Sequence, residues 1–157
     1  FLIIYHKQTA YSRWWEARCL WGGTVKSAIE VTQLACVCIQ DKYLAERIVR
    51  HTIVFCFAAK QLLRKEPLNW EELKGAISDD EFAAIQKVEG WSALYSLDVC
   101  RMCFQKAVQN QPVSAQSIMQ SQAFETNVSA LWGYLGGCLR IAYTPIPASQ
   151  EGFIVTV

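Results

Sequence analysis

The sequence lacks an apolar run long enough for a complete membrane-spanning helix, which needs about 18 or more consecutive apolar residues. It also lacks the charged, apolar and small-residue series of a secretory signal. Taken literally, these absences are typical of a soluble chain. However, the sequence begins with FLIIY at residues 1–5 and has no initiating methionine. We therefore expect the chain to start partway down an apolar helix, at the end of a membrane span.

Charged residues are scarce, and no run of one sign occurs. Of the 157 residues 18% are charged and 52% are hydrophobic, with a net charge of +1. Residues 1–66 carry ten Lys and Arg against five Asp and Glu, whereas residues 67–110 carry four against seven. Because the basic residues alternate with acidic and apolar ones, the pattern does not favour nucleic acid as a partner. The composition predicts one domain that can bury a core.

The chain also lacks the motifs of common enzymes. It has no Ser-His-Asp set, no phosphate-binding glycine loop and no paired-carboxylate site. Cys100 and Cys103 have the C-x-x-C spacing of redox and zinc sites, but zinc needs two further ligands and only His6 and His51 offer imidazoles. Since the seven cysteines are odd in number and mostly have apolar neighbours, we expect reduced, buried thiols. We expect no enzymatic activity, cofactor or metal; a redox or metal enzyme built on the two cysteines is a rival hypothesis.

Helical periodicity runs through almost the whole sequence and predicts an all-α fold of long helices in a bundle. The first helix extends to Ile39 with Gly22-Gly23 as its only weak point, so it would be about 58 Å long at 1.5 Å per residue. A second helix covers about Asp41 to Lys65, ends before a proline, and is apolar on all sides in its middle, as in a helix buried among others. Asn69 and Ser78 are candidate caps of short helices.

Two further amphipathic helices are predicted at Trp91–Asn110 and Ser114–Tyr143. The expected inward residues of the first are Trp91, Leu94, Tyr95, Val99, Met102 and Cys103. The expected stripe of the second is Phe124, Val128, Leu131, Trp132, Leu135, Cys138, Leu139 and Ala142. Its other face is Ser, Gln, Asn and Thr, with Glu125 as the one charge between Gln111 and Leu139. That face is enclosed by neighbouring helices, by other subunits or by a polar water-filled passage, or it is a plain polar surface.

The segment YSRWWEAR at residues 11–18 mixes large aromatic and charged side chains. Such a mixture suits the edge of a lipid bilayer, where aromatic rings lie at the headgroup level and Arg extends toward water. In the alternative interpretation the tryptophans fill a helical core, which we expect of at least one of them in any case. We expect Glu16 to form a structural ion pair with Arg13 or Arg18.

Three segments together resemble the bestrophin family of ion channels, in its bacterial, algal and plant branch. They are YSRWWEARCLWG at Tyr11–Gly22, FAAKQLLRK at Phe57–Lys65 and LGGCLRIAYTPIP at Leu135–Pro147. They occur in the family's order, and the helices between them fit its spacing. The resemblance covers about residues 1–147.

The resemblance implies a division of the chain. Residues 1–10 would end the family's second membrane helix, 11–143 would form cytosolic helices, and 148–157 would be a divergent tail. The family continues after Pro147 into a third apolar span, but this sequence reads ASQEGFIVTV. We therefore expect a fragment, a mispredicted gene product, or a cytosolic part retained for another use.

The implied function is a homopentameric channel with its ion pathway along the five-fold axis, conducting chloride or other small anions; some bacterial relatives prefer cations. The implied location is the inner membrane of a bacterium, or the plasma membrane or the chloroplast or thylakoid membrane of an alga or plant. The alternative is a soluble all-helical interaction protein without channel activity.

The family narrows its pathway at an apolar neck on the second membrane helix, and the matching positions here are Phe1 and Tyr5, spaced by four on one helical face. The Tyr5 hydroxyl departs from the all-apolar pattern. His6 and Lys7 follow; they favour anions if they face the pathway, and they could equally lie at a subunit contact.

The resemblance also implies a second constriction in the cytosolic part, on the last helix. Met119 matches best, with Ile118 as the alternative. The acidic calcium clasp of animal relatives would lie downstream, and nothing in this sequence replaces it.

Overall fold

The computed structural model describes residues 2–88, 90–109 and 112–144, with side chains from Lys7 onward. These ranges contain helices and no β-strand. The helices are α1 (Leu2–Cys38), α2 (Lys42–Arg64), α3 (Trp70–Leu73), α4 (Asp79–Gln86), α5 (Ser92–Val108) and α6 (Ala115–Tyr143). The predicted all-α fold of long helices is confirmed.

The first helix passes through its two glycines without a break, and its 37 residues span about 55 Å at 1.5 Å per residue. Gly23 permits a close approach of α6, because a Cβ there would lie 2.5 Å from the ring carbon Cζ of Tyr134. A Cβ at Gly137 would lie 2.8 Å from Cδ2 of Leu20. From Leu20 to Gly23 the position increases along α1, whereas the contacted position falls from Gly137 to Tyr134 along α6. The helices α1 and α6 are therefore antiparallel.

The helices α1, α2, α5 and α6 form an antiparallel four-helix bundle around one core. On the α2–α5 side, the Cys100 thiol donates a hydrogen bond to the Ile48 carbonyl oxygen at 3.6 Å. Between α5 and α6, the rings of Phe104 and Phe124 stack with centroids 4.0 Å apart. The Tyr143 hydroxyl contacts the Leu62 carbonyl oxygen and Trp91 stacks on Trp132, so the C-terminal ends of α2 and α6 lie at the same end of the bundle as the start of α5.

The two short helices begin where the sequence predicts. The Asn69 side chain accepts a hydrogen bond from the Glu71 N–H at 3.0 Å, and Ser78 and Glu81 form a reciprocal capping box at the start of α4. These helices cover a second, smaller apolar cluster on the side of α2, made of Val54, Leu73, Ile77 and Ile85.

The predicted inward face of α5 is partly wrong. Trp91 and Met102 are each 57% exposed, although Val99 and Cys103 are buried as expected. The buried residues of α5 include the small Ala93, Ser96 and Cys100 beside the larger Leu97 and Phe104. Trp91 is the N-cap residue of α5 and lies outside its helical face, where it stacks on Trp132 with ring centroids 6.4 Å apart.

The predicted apolar stripe of α6 is largely confirmed, since its buried residues are Phe124, Val128, Leu131, Leu135 and Cys138. Ala142 is exposed instead. On the polar face, Gln122, Thr126 and Ser129 are exposed, whereas Gln120 and Asn127 are half-buried. Its one acid, Glu125, pairs with Arg101 of α5 at 2.9 Å.

The middle of α2 is not buried on all sides, in contrast to the prediction, because Ile53 is 41% exposed.

Candidate functional site

An exposed aromatic cluster lies on the first half of α1. Tyr11, Trp14 and Trp15 are 61%, 56% and 53% exposed, and their ring centroids are 5.7 and 6.1 Å apart in sequence order. We call these three residues the aromatic edge. The expectation that at least one tryptophan fills the core is wrong for this chain, because the side of α1 that faces α6 carries Arg13 instead. Three large rings grouped at a surface are typical of a membrane or partner contact.

The charged residues beside the aromatic edge bind α6 rather than each other. Arg13 Nη2 donates to the carbonyl oxygens of Ile141 at 2.6 Å and Thr144 at 2.9 Å, which are acceptors left free at the end of a helix. Glu16 pairs with Arg140 of α6. The predicted pairing of Glu16 with Arg13 or Arg18 is therefore corrected.

The physical reason for this correction is the position of each side chain on α1. Arg18 follows Glu16 by two positions, and residues so spaced do not face each other on a helix. Arg13 does share a side of the helix with Glu16, but the α6 carbonyl groups occupy its guanidinium. Helix α6 thus supplies the partners of both Arg13 and Glu16.

The end of α2 joins the same assembly. Lys65 ends this helix in the left-handed conformation (φ 58°), and its ammonium lies 5.0 Å from the ring centroid of Tyr143, a cation–π contact. The Tyr143 hydroxyl donates to the Leu62 carbonyl oxygen at 3.0 Å. The three segments that carry the family resemblance, far apart in sequence, therefore meet at one end of the bundle.

The predicted pathway residues are only partly described. Phe1 lies outside the described residues, and Tyr5 and His6 lie in α1 where only the backbone is described. Lys7 is exposed. The neck and its basic neighbours thus stay predictions.

The predicted second constriction falls on exposed residues of α6. Met119 is 70% exposed and Ile118 is 57% exposed. Both lie near the start of α6, about 36 Å from Tyr143 at 1.5 Å per residue, at the far end of the bundle from the aromatic edge. A residue that lines a passage between subunits is exposed in a single chain. The exposure of Met119 and Ile118 is compatible with such a position, and their role in a constriction stays a prediction.

A buried histidine was not singled out from the sequence. His51 is 1% exposed, and its Nε2 lies 3.7 Å from Oε1 of Glu81, which Arg47 also approaches at 3.3 Å. Burial lowers the pKa of His51; the Glu81 carboxylate opposes this shift and Arg47 reinforces it. The spacing of the sequence could have predicted this burial, because position 51 lies three residues after Ile48 and four before Phe55, on the apolar face of α2.

The two cysteines of the C-x-x-C pair, Cys100 and Cys103, are buried. Burial raises the pKa of Cys100 to about 12 and also raises the pKa of Cys103. The cysteines are unpaired, and among the described residues no group of His, Cys, Asp and Glu could hold a metal ion. The expectation of buried thiols holds for these two residues and for Cys138, but Cys19 and Cys36 are exposed.

Comparison with known proteins places the chain in a family. A family model described as Bacterial/Fungal Bestrophin protein matches residues 1–154. Voltage-dependent anion channel-forming proteins of Nostoc sp. and Synechocystis sp. are each 26% identical, over 155 and 154 residues. These matches cover 96% and 93% of this chain but 49% and 48% of the relatives, so the chain spans about half of their length.

Solved structures share the fold. A mutant bacterial bestrophin homolog from Klebsiella pneumoniae has a TM-score of 0.83 at 20% identity, covering 98% of this chain and 57% of that one. A variant of a membrane protein also has a TM-score of 0.83, at 22% identity, with 98% and 56% covered. Within the described ranges of this chain, no helix has the length and apolar content to cross a bilayer. The family match over nearly all residues is decisive, and the chain belongs to the bestrophin family.

Proposed function

We propose that this chain is part of a subunit of a bestrophin-like channel that conducts chloride or other small anions across a membrane. The observation that carries the proposal is the junction of α1, α2 and α6, where the three family-like segments meet beside the aromatic edge. Two relatives named as anion channel-forming proteins match almost the whole chain, which supports anions as the transported species.

The proposed orientation puts the aromatic edge at the membrane surface. Exposed Trp and Tyr side chains are favoured at the headgroup level, and Tyr11, Trp14 and Trp15 are grouped there on one helix. Residues 1–10 then end a membrane helix, 11–143 form the cytosolic bundle, and 148–157 form a tail. Arg13 and Arg140 hold the end of α6 against α1, so α6 ends beside the same surface.

The proposed pathway runs along α1 and past the bundle in a homopentamer. Five copies of Phe1 and Tyr5 would form a narrow neck that closes by excluding water. His6 and Lys7 would attract anions just beyond it. At the other end, five copies of Met119 or Ile118 would form the second constriction. The exposed, nearly uncharged face of α6 suits a passage that does not trap ions.

The test replaces both Phe1 and Tyr5 by alanine in the full-length protein and records single-channel currents in planar lipid bilayers. Five-fold repetition removes ten aromatic rings from one constriction, so conductance should rise or gating should be lost. Tyr11→Ala is the matched control, because it removes an aromatic ring from the aromatic edge and not from the neck. Unchanged conductance of the double variant, with the pentamer intact by cross-linking, would count against the neck assignment.

A further inference from the structure

The imidazole of His51 is enclosed on α2 without a hydrogen bond. Neither ring nitrogen has a hydrogen-bond partner among the described residues, and the residue is 1% exposed. The distance of 3.7 Å from its Nε2 to Oε1 of Glu81 is too long for a normal hydrogen bond. A neutral imidazole tolerates this position better than an imidazolium does, because a buried charge costs far more free energy than a buried neutral polar group.

The charged and titratable groups around His51 come from three helices. Helix α4 contributes Glu81, and from α5 the thiol of Cys103 lies within the electrostatic reach of Glu81 and Arg47. Burial raises the pKa of Cys103, so this thiol is uncharged. A cavity of about 100 Å³ at this place is lined by Tyr43, Glu46, Arg47, Arg50, His51 and Glu81. Since Glu46 pairs with Arg50 at 2.6 Å, Glu81 is the one carboxylate of this lining that remains for both Arg47 and a protonated His51.

Helices α3 and α4 cover this side of α2. Arg47, His51 and Val54 are spaced by four and three, so they share one face of the helix. Arg47 and His51 approach Glu81 of α4. Val54 belongs to the second apolar cluster, in which it packs with Leu73, Ile77 and Ile85. This cluster is much smaller than the core of the bundle, so detaching α3 and α4 costs less free energy than unfolding the bundle.

We propose that α3 and α4 form a pH-sensitive cover that leaves α2 when His51 is protonated. In the closed form the imidazole is neutral and enclosed. A proton on it adds a second positive charge beside Arg47, and opening lets water hydrate that charge. Opening also exposes the apolar cluster around Val54. The predicted pathway residues take no part in the cover, so its behaviour is independent of the proposed channel function.

The direction of the pH dependence follows from burial. Burial lowers the pKa of His51 in the closed form; the Glu81 carboxylate opposes this shift and Arg47 reinforces it. In the open form the hydrated imidazole has its ordinary pKa of about 6.5, so the open form binds more protons. The closed form is therefore fully favoured above about pH 6.5. Below that pH, the equilibrium constant for opening rises by up to about tenfold per pH unit.

The test is amide hydrogen exchange of the full-length protein at pH 7.5 and 5.5, read by mass spectrometry with labelling times scaled to the intrinsic exchange rate at each pH. Amides of α4 should be less protected than amides of α5 at both pH values, because the cover opens without unfolding the bundle. The protection of α4 should fall by up to about tenfold at pH 5.5.

A pair of variants assigns the pH dependence to one residue. His51→Gln removes the titrating group, so the protection of α4 should be the same at both pH values. His6→Gln removes the other histidine of the sequence and should keep the pH dependence. Far-UV circular dichroism shows whether each variant is folded.

Three results would overturn the proposal. Two of them are read from the unmodified protein alone: α4 is as well protected as α5, or the protection of α4 is equal at the two pH values. The third is a folded His51→Gln variant in which the protection of α4 still falls at pH 5.5.

Discussion

Alanine at Gly22 should stabilise the chain more than alanine at Gly23. Inside a helix, alanine is favoured over glycine by about 1 kcal/mol. A Cβ at Gly22 meets nothing within 4 Å, so Gly22→Ala should gain that amount. At Gly23 the new Cβ would lie 2.5, 2.7 and 2.9 Å from three ring carbons of Tyr134, and the strain of such overpacking costs about 1–3 kcal/mol. Gly23→Ala should therefore be less stable than Gly22→Ala by about 1–3 kcal/mol.

The measurement is urea unfolding of the 157-residue chain, followed by far-UV circular dichroism. Melting temperatures should differ in the same direction, by about 2–4 °C for each kcal/mol. A double variant isolates the cause: once Tyr134→Ala has removed the ring, Gly23→Ala should stabilise the chain as Gly22→Ala does. If Gly23→Ala and Gly22→Ala are equally stable with Tyr134 present, close approach of α6 is not the reason for glycine at this position.

Two further predictions concern buried titratable groups. Burial lowers the pKa of His51 below its ordinary 6.5, so the unfolded state binds more protons, and stability should be full above about pH 6.5 and fall below it by up to about 1.4 kcal/mol per pH unit. Urea midpoints at pH 7.5 and 5.5 should therefore differ less for His51→Gln than for the unmodified chain, and an equal pH dependence would refute the assignment. Because burial raises the pKa of Cys100 to about 12, iodoacetamide at pH 8 should label exposed Cys19 and Cys36 in the folded protein and leave Cys100 unlabelled until denaturation. Peptide mass spectrometry that finds Cys100 labelled as fast as Cys19 would contradict this.

Helix limits were predictable because local chemistry sets them. Asp41 caps α2 through hydrogen bonds from the N–H groups of Tyr43 and Leu44, and Ser114 caps α6. Each of these signals lies within a few residues of the boundary it determines. The continuity of α1 through Gly22-Gly23 was also predictable, since the apolar period continues on both sides.

Partners across helices were not predictable in the same way. Glu16 binds Arg140, which is 124 positions away, and no local pattern identifies that neighbour. The apolar pattern of α5 predicts that Trp91 and Met102 face inward, but the face that the neighbouring helices cover carries residues such as Leu97, Cys100 and Phe104 instead. Both errors arise because helical period shows that a helix has an apolar side but not which helix covers it.

The candidate site was predictable to the level of the family. Three segments indicated bestrophin, and the family match confirms it. Their meeting at one end of the bundle depends on contacts such as Tyr143 with Leu62, which join positions far apart in sequence. The pathway roles of Tyr5 and Met119 rest on the resemblance to the family and on no contact within the chain, so they stay predictions.

The most direct test of the anion-channel proposal is the reversal potential of the full-length protein in a potassium chloride gradient across a planar bilayer. Residues 1–66 carry ten basic against five acidic residues, and positive charge beside a pathway concentrates anions. Lys7→Glu should shift the reversal potential toward the potassium value if Lys7 faces the pathway, whereas Lys26→Glu, another exposed lysine of α1, should not. The current of the unmodified protein should reverse near the chloride equilibrium potential, and reversal at the potassium equilibrium potential would contradict the proposed anion selectivity.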